Sequence, residues 1–175
     1  MEGSYKQMKS NQKGFSLIEL LIVVVVIGII AAIAIPNLIA SRRAANESSA
    51  QATNRTLFGA QITYAATKGN GDYAGTTGTP SITGLATLQG VHLIDSTVGT
   101  GTKSGYQFVT GRTVSGTGTN PTFAVGAIPV NSANNVTATG TRRFCVASNG
   151  VVRTDTGSLA TNISDATCTW GTVVQ

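Results

Sequence analysis

Charge is what this chain has least of. Asp, Glu, Lys and Arg make up 11% of its 175 residues, where about a quarter is usual. Aromatic residues are 6%, and His92 is the single histidine. Beyond residue 14 the acids are Glu19, Glu47, Asp72, Asp95, Asp155 and Asp165, and no two of them make a catalytic motif. His92 has no cluster of Cys, Asp or Glu around it at ligand spacing, so it reads as an ordinary loop residue. A phosphate-binding glycine loop and an ordered Ser, His and Asp set are also missing. An enzyme is therefore not expected, nor a bound metal or cofactor. The two cysteines, Cys145 and Cys168, have no haem, zinc or thioredoxin spacing. The formal charge of +5 is too mild to argue for nucleic-acid binding by itself.

What the chain does have is a long apolar run. From Phe15 to Ile35 it reads FSLIELLIVVVVIGIIAAIAI, with Glu19 as the only ionisable residue. As a helix that run spans roughly 30 Å, the thickness of a bilayer's hydrocarbon core. Lys6, Lys9 and Lys13 precede it, which places the amino-terminal end on the cytoplasmic side. A secretory signal peptide has its small-residue cleavage site after the apolar region. Here the small residue, Gly14, comes before it. The helical signal then continues through Pro36 and an Ala-, Asn- and Arg-rich stretch to about Lys68, where Gly69-Asn70-Gly71 supplies the stop. Phe58, Ile62 and Ala65, with Leu57, form a narrow apolar face expected to dock a globular domain. Arg42 and Arg43 sit just past the span, where phosphate headgroups, acidic neighbours or plain solvent would meet them.

The stretch GFSLIELLIVVVVIGIIAAIAIPNLIASRRAANES resembles the amino terminus of a type IV pilin or pilin-like protein. Basic leader, Gly14, Phe15, Glu19, aliphatic run, Gly28 and Pro36 occur together and in order. The resemblance covers about the first third of the chain. It implies cleavage between Gly14 and Phe15 by a prepilin peptidase, followed by N-methylation of Phe15. The leader would be residues 1–14, with Met8 as a second candidate start. Without the leader the chain would keep a charge of about +3. Glu19 would pair with the new α-amino group of Phe15 on a neighbouring subunit, or else reach the headgroups. Gly28 and Pro36 would mark a bend or a local helix break within a filament.

After Lys68 only pattern is available. Residues 69–104 are Gly- and Thr-rich, with one helical turn or short strand expected near Leu85–Leu88. Four strands are then expected, over 106–110, 122–128, 142–147 and 151–154, with Asn149-Gly150 as a hairpin turn. The expected fold class is α+β, the type IV pilin fold: a long amino-terminal helix over 15–68, its first part (15–36) in the membrane, packed on a four-stranded antiparallel sheet within 105–175. In an exported chain a lone cysteine pair reads as one disulfide, two free thiols being the alternative; Cys168 would tie the last segment back to Cys145. Asn-x-Ser/Thr sequons stand at Asn46, Asn54, Asn135 and Asn162.

The resemblance implies a major pilin: a homopolymer of pilin subunits, single-pass in the inner membrane before assembly and extracellular after it. Its partners would be the prepilin peptidase, an assembly ATPase and a platform protein. Its roles would be adhesion, twitching motility or DNA uptake. A type II secretion pseudopilin, a minor pilin and a DNA-binding competence pilin are the alternatives. The last would use Arg112, Arg142, Arg143 and Arg153 on extracellular DNA, provided that the four share one surface.

Overall fold

Helix α1 runs from Leu17 to Thr67 in the computed structural model, which describes residues 14–78, 80–114, 120–131, 137–156, 168 and 172–173. The chain divides into two units, residues 1–38 and 39–175. In the first, α1 starts on local chemistry. Ser16 precedes the first helical residue, and its carbonyl accepts from the N–H groups of Glu19 and Leu20. The Glu19 carboxylate reaches back to the Ser16 N–H at 2.8 Å. Ser-x-x-Glu at the N-cap and third helical position is a capping box, and this is its carboxylate half. Gly28 and Pro36 both lie inside α1, which is helical through each of them. The bend or local break that the resemblance implies belongs to a filament; in the isolated chain the helix continues, since a proline removes one donor and leaves the neighbouring turns bonded.

In the second unit α1 buries Glu47, Ala50, Thr53, Asn54, Leu57, Ala60 and Gln61. These recur every three or four residues and so share one face. The expected docking face was placed slightly off this stripe. Phe58 is half-buried and Ile62 is 41% exposed, while the polar Asn54 and Gln61 are fully enclosed. Gln61 explains why a polar residue belongs there. Its Nε2 donates to the Ala74 carbonyl at 2.7 Å, and its Oε1 accepts from the Ala74 N–H at 2.9 Å. The side chain thus pairs with a passing backbone as a strand would. Gln61→Ala leaves a buried donor and acceptor unmet and is expected to cost roughly 2–4 kcal/mol; an unchanged urea midpoint would contradict this. The helix ends where Asn70 and Gly71 turn left-handed, at φ 49° and 94°.

The segment before the main strands is more ordered than the loop expected from its composition. It carries β1 (Thr76–Thr77), α2 (Thr83–Gly90), α3 (Ser96–Gly99) and β2 (Thr102–Lys103). Helix α2 forms because Leu85 and Leu88, three apart, both bury into the core. Helix α3 is capped by Asp95, whose carboxylate accepts from the Val98 N–H at 2.8 Å.

The four expected strands are present as β3 (Tyr106–Thr113), β4 (Thr122–Pro129), β5 (Arg143–Ala147) and β6 (Val152–Asp155), each antiparallel to the next. Among the described residues the sheet has seven strands rather than four. β1 joins β3 in parallel, β2 joins it antiparallel, and β7 (Thr172–Val173) extends the other edge. The class is α+β with a mixed sheet. Side-chain alternation gives the sheet two faces. Tyr106, Phe108, Phe123, Val125, Ala127, Phe144, Val146 and Val152 join Ala50, Leu57 and Ala60 of α1 and Leu85 and Leu88 of α2 in the main core. Ala124, Ile128, Cys145, Ala147 and Cys168 form a second cluster.

Candidate functional site

The first unit presents its apolar side chains to the surroundings. Phe15 is 84% and Leu17 79% exposed, and between Phe15 and Leu38 only Ala31 is even half-buried. The apolar residues occur on every side of the helix, so no single face is turned away from water. By length and composition this helix is able to cross a membrane. Gly14 and Phe15 stand exposed ahead of it. Glu19 is the one acid in the run, and its capping bond supplies a partner inside its own chain. The Ser16-x-x-Glu19 spacing carried that signal in the sequence.

In the second unit a buried carboxylate holds the β4–β5 connection to α1. Glu47 is 5% exposed. Its Oε1 accepts from both the backbone N–H and the hydroxyl of Thr141, each at 2.9 Å. Its Oε2 accepts from Nε and Nη2 of Arg142 at 2.8 and 2.7 Å. Burial by itself would push this carboxyl up; the Thr141 N–H, the Arg142 guanidinium and the Thr141 hydroxyl together outweigh it and hold it below the ordinary value. Tyr106 completes the lock by donating to the Arg142 carbonyl at 2.7 Å. Burial, followed by the nearby Glu47 charge, raises the Tyr106 phenol far above its usual range, so it serves as a neutral donor. The Arg142 guanidinium also lies 5.7 Å from the centre of the Phe144 ring. In sequence Glu47 is only one polar helix residue and Thr141 one threonine among many; 94 residues separate them, and only folding joins them.

The four candidate DNA-contact arginines are not brought together. Arg142 is spent on Glu47, and Arg112 donates to the Gly75 carbonyl and pairs with Asp72 at 3.6 Å. Arg143 is ion-paired with Asp155 across the β5–β6 register, and Arg153 stands opposite Cys145. Arg112 is in register with the core residue Phe123, whereas Arg143 and Arg153 alternate with the core residues Phe144 and Val152 and take the other sheet face. Cys145 and Cys168 form a disulfide, with Cα atoms 5.9 Å apart.

Of the sequons, Asn135 and Asn162 lie outside the described residues. Asn46 donates to the Thr139 carbonyl at 2.9 Å. Asn54 has no exposed surface, so the folded chain offers no glycan acceptor there. Neither amide atom of Asn54 has a hydrogen-bond partner among the described residues. A buried, unmet amide costs more than an apolar group of the same shape. Asn54→Leu is therefore expected to raise the unfolding free energy by roughly 1–2 kcal/mol. A lower denaturation midpoint in the variant would contradict that.

Residues 9–35 match the prokaryotic N-terminal methylation motif. The chain is 60% identical over 38 residues to the type IV wide pilus major component PilA4 of Thermus thermophilus, which covers 22% of this chain and 29% of that protein. It is 46% identical over 54 residues to the type IV major pilin protein PilA of Myxococcus xanthus, covering 31% and 24%. It is 79% identical over 29 residues to the type IV major fimbrial protein FimA of Dichelobacter nodosus, covering 17% and 19%. The matched segments thus span less than a third of these relatives. No solved structure matches the chain.

Proposed function

Proceeding from an amino-terminal segment that is that of the type IV pilins, we propose that this chain is a structural subunit, a major pilin, of an extracellular type IV pilus. The observation that carries this is the exposed apolar stretch of α1. Such a surface needs lipid first and other copies of itself afterwards, and repeated non-closing contacts between copies build a filament. In this reading a prepilin peptidase cuts between Gly14 and Phe15, Phe15 is N-methylated, and the precursor waits as a single-pass inner-membrane protein. An assembly ATPase and a platform protein then move it into the filament. Glu19 pairs with the Phe15 amine of a neighbour, and the helix unwinds between Gly28 and Pro36 as copies pack. Adhesion, twitching motility and DNA uptake are the roles that go with such a filament. The Cys145–Cys168 disulfide favours a pilus over a type II secretion pseudopilin. Three of the four candidate arginines are committed to carboxylates, which argues against a DNA surface built from them.

The test is intact-mass and amino-terminal analysis of filaments sheared from native cells. A major band that begins at methylated Phe15, two hydrogen atoms short for the disulfide, is the expected result. The same processed chain confined to the envelope would move the reading to a pseudopilin or a minor subunit. An unprocessed chain would overturn it.

A further inference from the structure

A cup of about 270 Å³ opens on the second unit, lined by Ile39, Arg42, Asn46, Thr137, Ala138 and Thr139. Its donors are fixed by the fold. The Asn46 carboxamide nitrogen spends one hydrogen on the Thr139 carbonyl, at 2.9 Å, and carries a second. The Thr137 hydroxyl is held by Asn131 Nδ2 at 2.7 Å. Among the described residues no acid lines the cup, and the nearest along α1, Glu47, is turned to Thr141 and Arg142. Arg42 is thus the one charged residue among the described residues of the lining; it is exposed and joins none of the ion pairs found among them. A guanidinium fork beside amide and hydroxyl groups suits a phosphate oxyanion. Ile39 adds an apolar lip, which a free phosphate has no use for and a lipid does.

Position along the helix supports the same ligand. Arg42 comes six residues after Pro36, roughly 9 Å further along α1, and side chains on a helix lean back toward its amino-terminal end. The headgroup layer occupies roughly 5–8 Å outside the hydrocarbon. We infer that this cup holds the phosphate of a phospholipid in the extracytoplasmic leaflet while the chain resides in the membrane. The inference rests on the reading of α1 as a membrane span before assembly. Leaving the bilayer then requires the subunit to give up a bound headgroup as well as its acyl-chain contacts.

The experiment uses the full chain with guanidino-¹³C arginine, reconstituted in vesicles of phosphatidylethanolamine and phosphatidylglycerol. Flotation is followed by solid-state NMR measurement of ¹³C–³¹P dephasing. The wild type is expected to float and to show dephasing that Arg42→Gln reduces to background and Arg43→Gln leaves in place. Thr137→Val is expected to weaken it. Dephasing that survives Arg42→Gln, or that Arg43→Gln removes equally, would overturn the assignment to this cup. Equal dephasing from inorganic phosphate in a maltoside detergent would overturn the lipid as its source. A chain that does not float would overturn the membrane reading itself, and this inference with it.

Discussion

Cells that carry Glu19→Ala are expected to process the precursor normally and yet display no filaments. The carboxylate has two candidate tasks, and a second substitution separates them. In the subunit it caps its own helix through the Ser16 N–H. In a filament it would neutralise the amine created by cleavage. Glutamine serves in a capping box nearly as well as glutamate, but it carries no charge. If pairing with the amine matters, Glu19→Gln fails to assemble just as Glu19→Ala does. If only the cap matters, Glu19→Gln restores filaments, and the intersubunit pair is ruled out. The readouts are electron microscopy of sheared material and the mass of the membrane-resident chain. The effect of Glu19→Ala should be all-or-none at the level of filaments, because a loss at one contact is repeated at every subunit of the polymer.

Glu47→Ala is expected to be among the most damaging single substitutions for folding of the second unit. It leaves the Thr141 N–H without its acceptor and Arg142 without its counter-charge. Breaking a buried pair costs several kcal/mol, but the Arg142 side chain is 41% exposed and regains water. A loss of roughly 2–4 kcal/mol is expected, seen as a lower urea midpoint with an unchanged slope. The pH dependence has a definite sign. The folded carboxyl sits below its ordinary value of 4.5, so its stabilisation is complete above that value. It disappears as pH falls through the lower folded value. The gap between wild type and Glu47→Gln should therefore close on acidification below about 4.5. A gap that stays constant through that window would show that Glu47 acts by packing rather than by charge.

Much of this was legible before folding. The apolar run, the single acid inside it, Gly14 ahead of it and the lysines before that are contiguous, so their meaning survives in one dimension. The four main strands were legible for a similar reason: their alternation and the Asn149-Gly150 turn are local signals. The capping box was equally local, although the spacing alone did not say that Glu19 would use it. Ile62 was misplaced because a helix's buried stripe is set by what packs on it. Gln61 and Asn54 won the inside positions, Gln61 by bonding the Ala74 backbone.

The short strands were harder to read. β1 and β2 have two residues each and are strands only because β3 offers them an edge. The same holds for α2, whose Leu85 and Leu88 become core residues only when the sheet is there to receive them. The arginines show the limit most clearly. Arg142 and Arg143 are adjacent in sequence, yet one is pulled toward α1 by Glu47 and the other lies across β5 from Asp155.

By itself the sequence determined the membrane-length helix, the class of fold and the order of its main strands, because each depends on neighbours within a few residues. The tertiary structure alone decided which carboxylate locks the β4–β5 connection, which polar side chains are buried, and that Arg42 rather than Arg43 lines a cup. Those outcomes depend on contacts between residues up to 95 apart, and no local pattern encodes which distant partner will arrive.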